Sequence, residues 1–294
     1  MAGGFNPNAR KGVARLERIK DADKRVALNV NLEEGSDLRT KVQDGDILFV
    51  PRVSADLEKI FSIRGHVKNP GIHGWREGVR LGDIIKSPGQ LLSYVDLDYA
   101  VIKRQYPADG NVTVLTIKPR DLFDAKMNVP IILQPNDEVI FFRYDQTADR
   151  QALLNSVIEE LQQQATFNKP ANIVSIQGMV RVPGKYPLSE GMKLGDLILA
   201  SGQLQESAFI LQAELTRYDV HEGKYRNIKH ININVADILN GNPEANLELR
   251  PYDYLRINKM PSWSEQRLVE LKGEVQFPGV YPVSPGETIG SVME

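Results

Sequence analysis

The chain has 294 residues, 41% of them hydrophobic and 25% charged, which is ordinary globular material with enough length for two or three small cores. A formal net charge of −2 argues against a nucleic-acid binder that works by neutralising phosphates, and no run of about 18 apolar residues is present to span a membrane. Cysteine is absent, which excludes disulfides, thiol nucleophiles and thiolate metal ligands.

Taken in chain order, Arg15-Leu16-Glu17-Arg18 reads as part of a strand, and Gly45-Asp46 turns the chain into the apolar strand Ile47-Leu48-Phe49-Val50. At residues 61–91 a phrase begins that returns at 174–204 and again at 269–294. Its marker glycines, Gly65, Gly178 and Gly273, recur at intervals of about 100 residues, the scale of small domains in tandem rather than of a solenoid.

The second copy shows the local signals most fully. Alternation over residues 174–180 predicts a strand with one buried face, Pro183-Gly184 predicts a turn that needs glycine's freedom, and residues 185–188 run back as the partner strand. Leu194, Leu197 and Ile198 lie on one face of a short helix over 193–200, with Gly202 as its stop. Strands are expected at 213–218 and 225–231, a turn of helix at 235–239, and a closing strand at 254–257 behind Asp253. Hairpin, helix, return strands and closing strand describe a β-grasp, a small mixed sheet with one helix across it. Asp46, Asp137 and Asp253 stand at one equivalent position and read as turn or cap residues.

Residues 149–167 interrupt the repetition. Leu153, Leu154, Val157, Ile158, Leu161 and Ala165 form a helical apolar stripe, read either as a linker helix packed on its neighbour or as a subunit contact. The third copy stops at Glu294, opposite Lys86 and Leu199, and Ala2-Gly3-Gly4-Phe5 matches the next residues of the other copies, 87–90 and 200–203. The chain therefore reads as two whole repeats between two partial ones, either a piece of a longer protein or a permuted arrangement. The partial ends are expected to complete a β-grasp within one molecule or between successive molecules.

The expected fold class is α+β with tandem β-grasp domains, two complete and one split between the termini. The expected division is 1–57 as the C-terminal part of a repeat, 58–147 as a repeat, 148–170 as a helical linker, 171–260 as a repeat, and 261–294 as the N-terminal part of another.

The repeated motif is carried by Gly178, Val180, Pro183, Gly184, Tyr186, Pro187, Leu194, Gly195 and Asp196, and by Gly65, Val67, Pro70, Gly71, His73, Leu81, Gly82 and Asp83. The third copy has Gly273, Val275, Pro278, Gly279, Tyr281, Pro282, Ile289 and Gly290, with Ser291 in place of the aspartate; the first has Gly74 in place of the proline. This pattern resembles the soluble-ligand-binding β-grasp (SLBB) repeat of the Wza-type outer-membrane polysaccharide export proteins. The resemblance implies a periplasmic, non-catalytic segment of a capsule or exopolysaccharide exporter, associated with the outer membrane in the full-length protein. It also implies a homo-oligomeric conduit, a polysaccharide chain in transit, and inner-membrane polymerisation and export machinery as partners, with no nucleic acid and no cofactor. Related repeats occur in cobalamin-binding and respiratory proteins, so a soluble ligand- or glycan-binding module is the alternative, and a polysaccharide-cleaving enzyme a second one.

Candidate ligand- or subunit-facing rings are His73, Tyr186, Tyr281 and Trp75, because one hairpin position keeps a large ring with a polar end and an indole can stack on a sugar. No catalytic residue is nominated. Residues 178–186 have five residues between the glycines and Tyr186 where a phosphate loop needs Ser or Thr, and His66, His73, His221 and His230 lack metal-ligand spacing.

Overall fold

The computed structural model describes residues 3–20, 24–33, 35–53, 58–106, 110–124, 130–221, 225–261, 263, 267–284 and 286–293. Ala2 and Glu294, which anchor the end-to-end match, lie outside the described residues, as does the side chain of His221. The chain divides into two compact units, Met1–Glu58 and Lys59–Glu294.

In the first unit β1 (Val13–Lys20) pairs antiparallel with β2 (Lys24–Asn31) on one side and with β3 (Ile47–Phe49) on the other. Alternation along β1 turns Ala14 and Leu16 inward, where they meet Val30 and Leu32 in a small core.

The second unit contains two five-stranded sheets with the same strand order. The first is built from β4 (Ile60–Gly65), β5 (Gly71–Gly74), β6 (Val95–Gln105), β7 (Val112–Ile117) and β8 (Glu138–Arg143), with the short helix α1 (Leu81–Ile84) between β5 and β6. Its order is β5-β4-β8-β6-β7. Helix α2 (Thr147–Gln163) leads to the second sheet, made of β9 (Ile173–Gly178), β10 (Gly184–Pro187), β11 (Ala208–His221), β12 (Tyr225–Ile233) and β13 (Tyr254–Lys259). Helices α3 (Leu194–Ala200) and α4 (Val235–Leu239) accompany it, and its order is β10-β9-β13-β11-β12. In both sheets the closing strand is central, parallel to the hairpin strand and antiparallel to the long strand. A last hairpin, β14 (Arg267–Leu271) with β15 (Gly279–Val283), and helix α5 (Ile289–Met293) follow. Sheets with a few helices make this an α+β protein.

The marker glycines have a backbone reason. Gly65 and Gly178 adopt φ +82° and +91°, and a Cβ at either would lie 2.0 Å from the Phe141 carbonyl oxygen or 1.9 Å from that of Ile257. Those carbonyls accept hydrogen bonds from the N–H of His66 (2.8 Å) and of Met179 (3.0 Å), so the closing strand locks into a notch that only glycine leaves open.

The repeated aspartates of the helix motif also have a local role. Asp83 and Asp196 each accept the backbone N–H of the residue before their helix, Arg80 and Lys193, at 3.1 Å. In the third copy the Ser291 hydroxyl accepts the N–H of Thr288, also at 3.1 Å, so serine does the aspartate's work there.

The first sheet is covered on both faces. Phe61, Ile63, Leu81, Ile102 and Phe141 form a core on the α1 side, while Tyr99, Val101, Ile140 and Phe142 face the other way. That second set merges with Leu154, Val157, Ile158 and Leu161 of α2 and with Val174, Ile176, Leu197 and Leu215 of the second repeat in one cluster. The run Val139-Ile140-Phe141-Phe142 is therefore buried on both faces, which is why it is continuously apolar instead of alternating.

Candidate functional site: the cleft between the two sheets

The two sheets are held together by a buried polar latch as well as by apolar packing. Arg150 enters the core from the first turns of α2 and is almost wholly buried. One guanidinium nitrogen, Nη2, donates to Asp96 Oδ2 at 2.5 Å and to the Arg143 carbonyl at 3.0 Å, both in the first repeat, while Nη1 donates to the Ala200 carbonyl in the second. Its planar face lies over the rings of Phe142 (5.5 Å) and Tyr99 (5.8 Å), a desolvated cation–π arrangement. Burial pushes the Asp96 carboxyl above its usual range, with the Arg150 charge opposing. Lys103 on β6 adds an outer tie, reaching Glu138 at 3.0 Å and Glu160 of α2 at 2.8 Å.

Between the sheets lies a cleft of about 520 Å³. One wall is β7, with Thr113, Leu115 and Thr116; the other is the segment after β10, with Ser189 and Glu190. Leu161 of α2 and Leu249 make an apolar floor, and Asn172 and Tyr106 add an amide and a ring. Thr116 Oγ1 donates to Ser189 Oγ at 3.0 Å across the opening. Threonine, serine and asparagine in this wall donate and accept without net charge, and the carboxylates of Glu190 and Glu248 beside them add strong acceptors, a mixture that can meet hydroxyl-rich ligands.

A second recess of about 270 Å³ shares the end of α2 and the start of β9 as walls, through Gln162 and Ile173. It gathers Tyr218, Tyr252 and Tyr254, with Ser175 and Lys185 beside them. Tyr218 and Tyr252 are each more than a third exposed, so their rings offer flat apolar surface with a polar tip. The tyrosines come from the long strand, the closing turn and the closing strand. Tyr252 and Tyr254 stand on either side of the buried Asp253, the first in the turn and the second at the start of β13.

The four rings nominated from sequence do not converge. Tyr186 has no exposed surface; its hydroxyl donates to the Val182 carbonyl at 2.6 Å, its ring lies edge-on to Tyr99, and burial pushes its hydroxyl pKa up. Tyr281 makes the same bond to the Phe277 carbonyl, at 2.6 Å, in the last hairpin. His73 stacks on Phe61 with centroids 5.3 Å apart, its Nε2 buried. Trp75 donates from Nε1 to the Leu133 carbonyl at 2.8 Å. Each ring pins its own hairpin or loop. Of the helix stripe, Leu154, Val157, Ile158 and Leu161 lie inside the core shared by the two sheets, with Leu153 packed against it.

Among the described residues no three His, Asp or Glu side chains converge as a metal site, and no helix is long and apolar enough to cross a membrane. No curated protein matches the chain. Residues 173–208, from β9 through α3 to the start of β11, match the SLBB domain model, so this stretch is similar to soluble ligand-binding domains.

Proposed function

We propose that the chain is a periplasmic, non-catalytic segment of a capsule or exopolysaccharide export protein. In this reading the two five-stranded sheets are tandem β-grasp repeats, with a third divided between the ends. The segments 1–57, 58–147, 148–170, 171–260 and 261–294 are then part-repeat, repeat, helical linker, repeat and part-repeat. The observation that carries the reading is the fusion of two like sheets through α2 into one body whose cleft presents hydroxyls and an amide beside the carboxylates of Glu190 and Glu248. A conduit wall must touch a moving polymer without holding it, and hydrogen bonds worth about 1 kcal/mol each, exchanged readily with water, meet that need. The threefold motif and the SLBB match at 173–208 support it.

In this role protomers surround an axis as a homo-oligomer, and polymer made by inner-membrane machinery passes along it uncleaved towards the outer membrane. Half-buried Trp75 and Tyr281 and the tyrosine recess are the surfaces available to sugar or to a neighbouring subunit. The deciding experiment compares surface polysaccharide with polymer retained behind the outer membrane in cells lacking the gene. Loss from the surface with internal retention is expected, and normal surface polymer overturns the reading.

A second reading, a soluble module that captures a small molecule or glycan, is favoured by the cleft's volume, which lies within the range of about 300–1,000 Å³ usual for small-ligand sites. Saturable binding by the isolated monomer distinguishes it, and shortened polymer after incubation would instead reveal cleavage.

A further inference from the structure

The seam where the two five-stranded sheets meet carries a row of alternating arginines and tyrosines that lies outside both the cleft and the tyrosine recess. The Arg143 guanidinium lies 5.4 Å from the centroid of Tyr94, the rings of Tyr94 and Tyr144 are 6.1 Å apart, and the Arg181 guanidinium, from the second sheet's hairpin, lies 5.1 Å from Tyr144. The Arg181 stem runs over Gly202, where an added Cβ would stand 3.2 Å from the Arg181 Cβ, and its Nε donates to the Gly202 carbonyl at 3.1 Å. Stem and Nε are thereby fixed, yet the side chain is exposed and no carboxylate among the described residues pairs with it.

Beside the row opens a recess of about 310 Å³, with Leu97 and Leu199 as apolar walls and Tyr144, Arg181 and Gln203 as polar ones. Its two acids are already matched, Asp96 by Arg150 at 2.5 Å and Asp98 by Arg120 at 2.6 Å, which leaves Arg181 as the uncompensated charge. Gln203 in the wall and Tyr94 next to it adopt φ +71° and +65°, a strained left-handed backbone for residues other than glycine. Their counterparts in the other repeat, Gln90 and Ser207, do not share it, whereas the equivalent Asn136 and Tyr252 both do. The strain at Tyr94 and Gln203 therefore belongs to the seam and not to the repeated fold.

We propose that this recess binds a carboxylate-bearing sugar unit, a uronate, of a polysaccharide chain. The inference rests on the polysaccharide reading above and adds the class of sugar to it. The unit's carboxylate meets the terminal nitrogens of Arg181, whose planar fork matches two carboxylate oxygens. Its apolar C–H face meets Leu97, Leu199 and the Tyr144 ring, and the Gln203 amide oxygen accepts from a hydroxyl. One charge-assisted contact in a recess open to water selects the acid form of the sugar without holding the chain fast. The larger cleft is the wrong place for such a unit, because Glu190 and Glu248 repel a carboxylate there.

The test is a chemical-shift titration of the full 294-residue chain with trigalacturonate and with its methyl ester, which keeps the sugar rings and removes the charge. Saturable shifts are expected at Tyr144, Arg181 and residues 199–203, with the acid bound about ten-fold more tightly than the ester. Arg181→Gln should lower the acid to the ester's affinity and leave the ester unchanged, while Arg181→Lys, which keeps the charge and loses the fork, should fall between. Arg76→Gln, at an exposed arginine after β5, should change neither. Equal affinity for acid and ester in the unmodified chain, a result no folding defect can produce, overturns the proposal. So does an acid preference that survives in Arg181→Gln, or acid-induced shifts confined to residues 113–116 of the cleft. Each of these leaves the export reading standing, because surface polymer in cells lacking the gene reports on that reading separately.

Discussion

Arg217 holds Asp253 through two nearly parallel bonds, Nε to Oδ1 at 3.0 Å and Nη2 to Oδ2 at 2.6 Å, while Nη2 also reaches the Glu248 carbonyl at 2.9 Å. The same carboxylate accepts the N–H of Arg250, closing the turn before β13. The arrangement recurs as Arg104 on Asp137 and Arg18 on Asp46, each with a backbone carbonyl on the guanidinium and a backbone N–H on the carboxylate. The long strand is thereby clamped to the turn that launches the closing strand, and the aspartates are more than turn formers.

Removing one partner of a buried bidentate pair strands the other. Asp253→Ala is expected to destabilise the second unit by about 3–5 kcal/mol, since the Asp253 side chain has no exposed surface. Urea denaturation measures this; a loss no larger than that of an exposed Asp→Ala change such as Asp145→Ala would refute the clamp.

The pair in the first unit sets a pH dependence. Hydrogen bonding from Arg18, and then from the Gln43 N–H, lowers the Asp46 carboxyl to about 2. A carboxylate with a depressed folded pKa contributes stability that is present above its ordinary value near about 4 and is lost as pH falls through the folded value. Amide protection along β1 and β3, corrected for intrinsic exchange, should therefore fall between about pH 4 and pH 2. An Asp46→Asn variant should show less of that change, and equal slopes would count against the assignment.

Arg150→Ala should cost about 3–5 kcal/mol because it leaves Asp96 buried and uncompensated. Asp96→Asn should be milder, since burial already raises that carboxyl's pKa. A carboxyl raised in the folded state contributes stability below its unfolded pKa and loses it as pH rises through the folded value. Loss of the latch should separate the two sheets' unfolding into two transitions by circular dichroism, and a single unchanged transition would contradict its role.

At Gly178 an added methyl group meets the Ile257 carbonyl and a positive φ together. Gly178→Ala should cost about 3–5 kcal/mol, combining strain and overpacking. Gly273→Ala meets only the strain, about 1 kcal/mol, since nothing lies within 4 Å of its Cβ position. Thermal melts of the two variants check the difference, and similar losses would show that the notch is not what requires glycine.

If the tyrosine recess meets sugar, Tyr218→Ala should weaken binding of a neutral oligosaccharide several-fold, as read from chemical-shift titration. Trp75→Phe, whose indole is tied to Leu133, should leave it unchanged. No change in the first variant would remove the recess from the polymer's path.

The hairpins, the short helices and the closing strands were legible in the sequence because each depends on neighbours a few residues away. Period-2 alternation at 174–180 became the strand Ile173–Gly178, and the Pro183-Gly184 turn and the stripe at Leu194, Leu197 and Ile198 became elements where they were expected. The apolar stripe of α2 was equally visible, but which surface it covered was not. Arg150 looks like a solvent-facing charge on that helix, and only the meeting of two sheets makes its site buried. The three clamps are invisible in the sequence for the same reason: their partners stand 28, 33 and 36 residues apart and meet only when the long strand lies beside the closing turn.

The repeating unit and its local conformation are written in the order of the residues, since dihedral preferences and apolar periodicity act within one element. How the repeats combine is settled only on folding: the shared core around α2, the cleft beside Leu161, the tyrosines gathered from separate segments, and the empty notch at Gly273. These depend on through-space distances between segments far apart in the chain, and no short-range pattern encodes such distances.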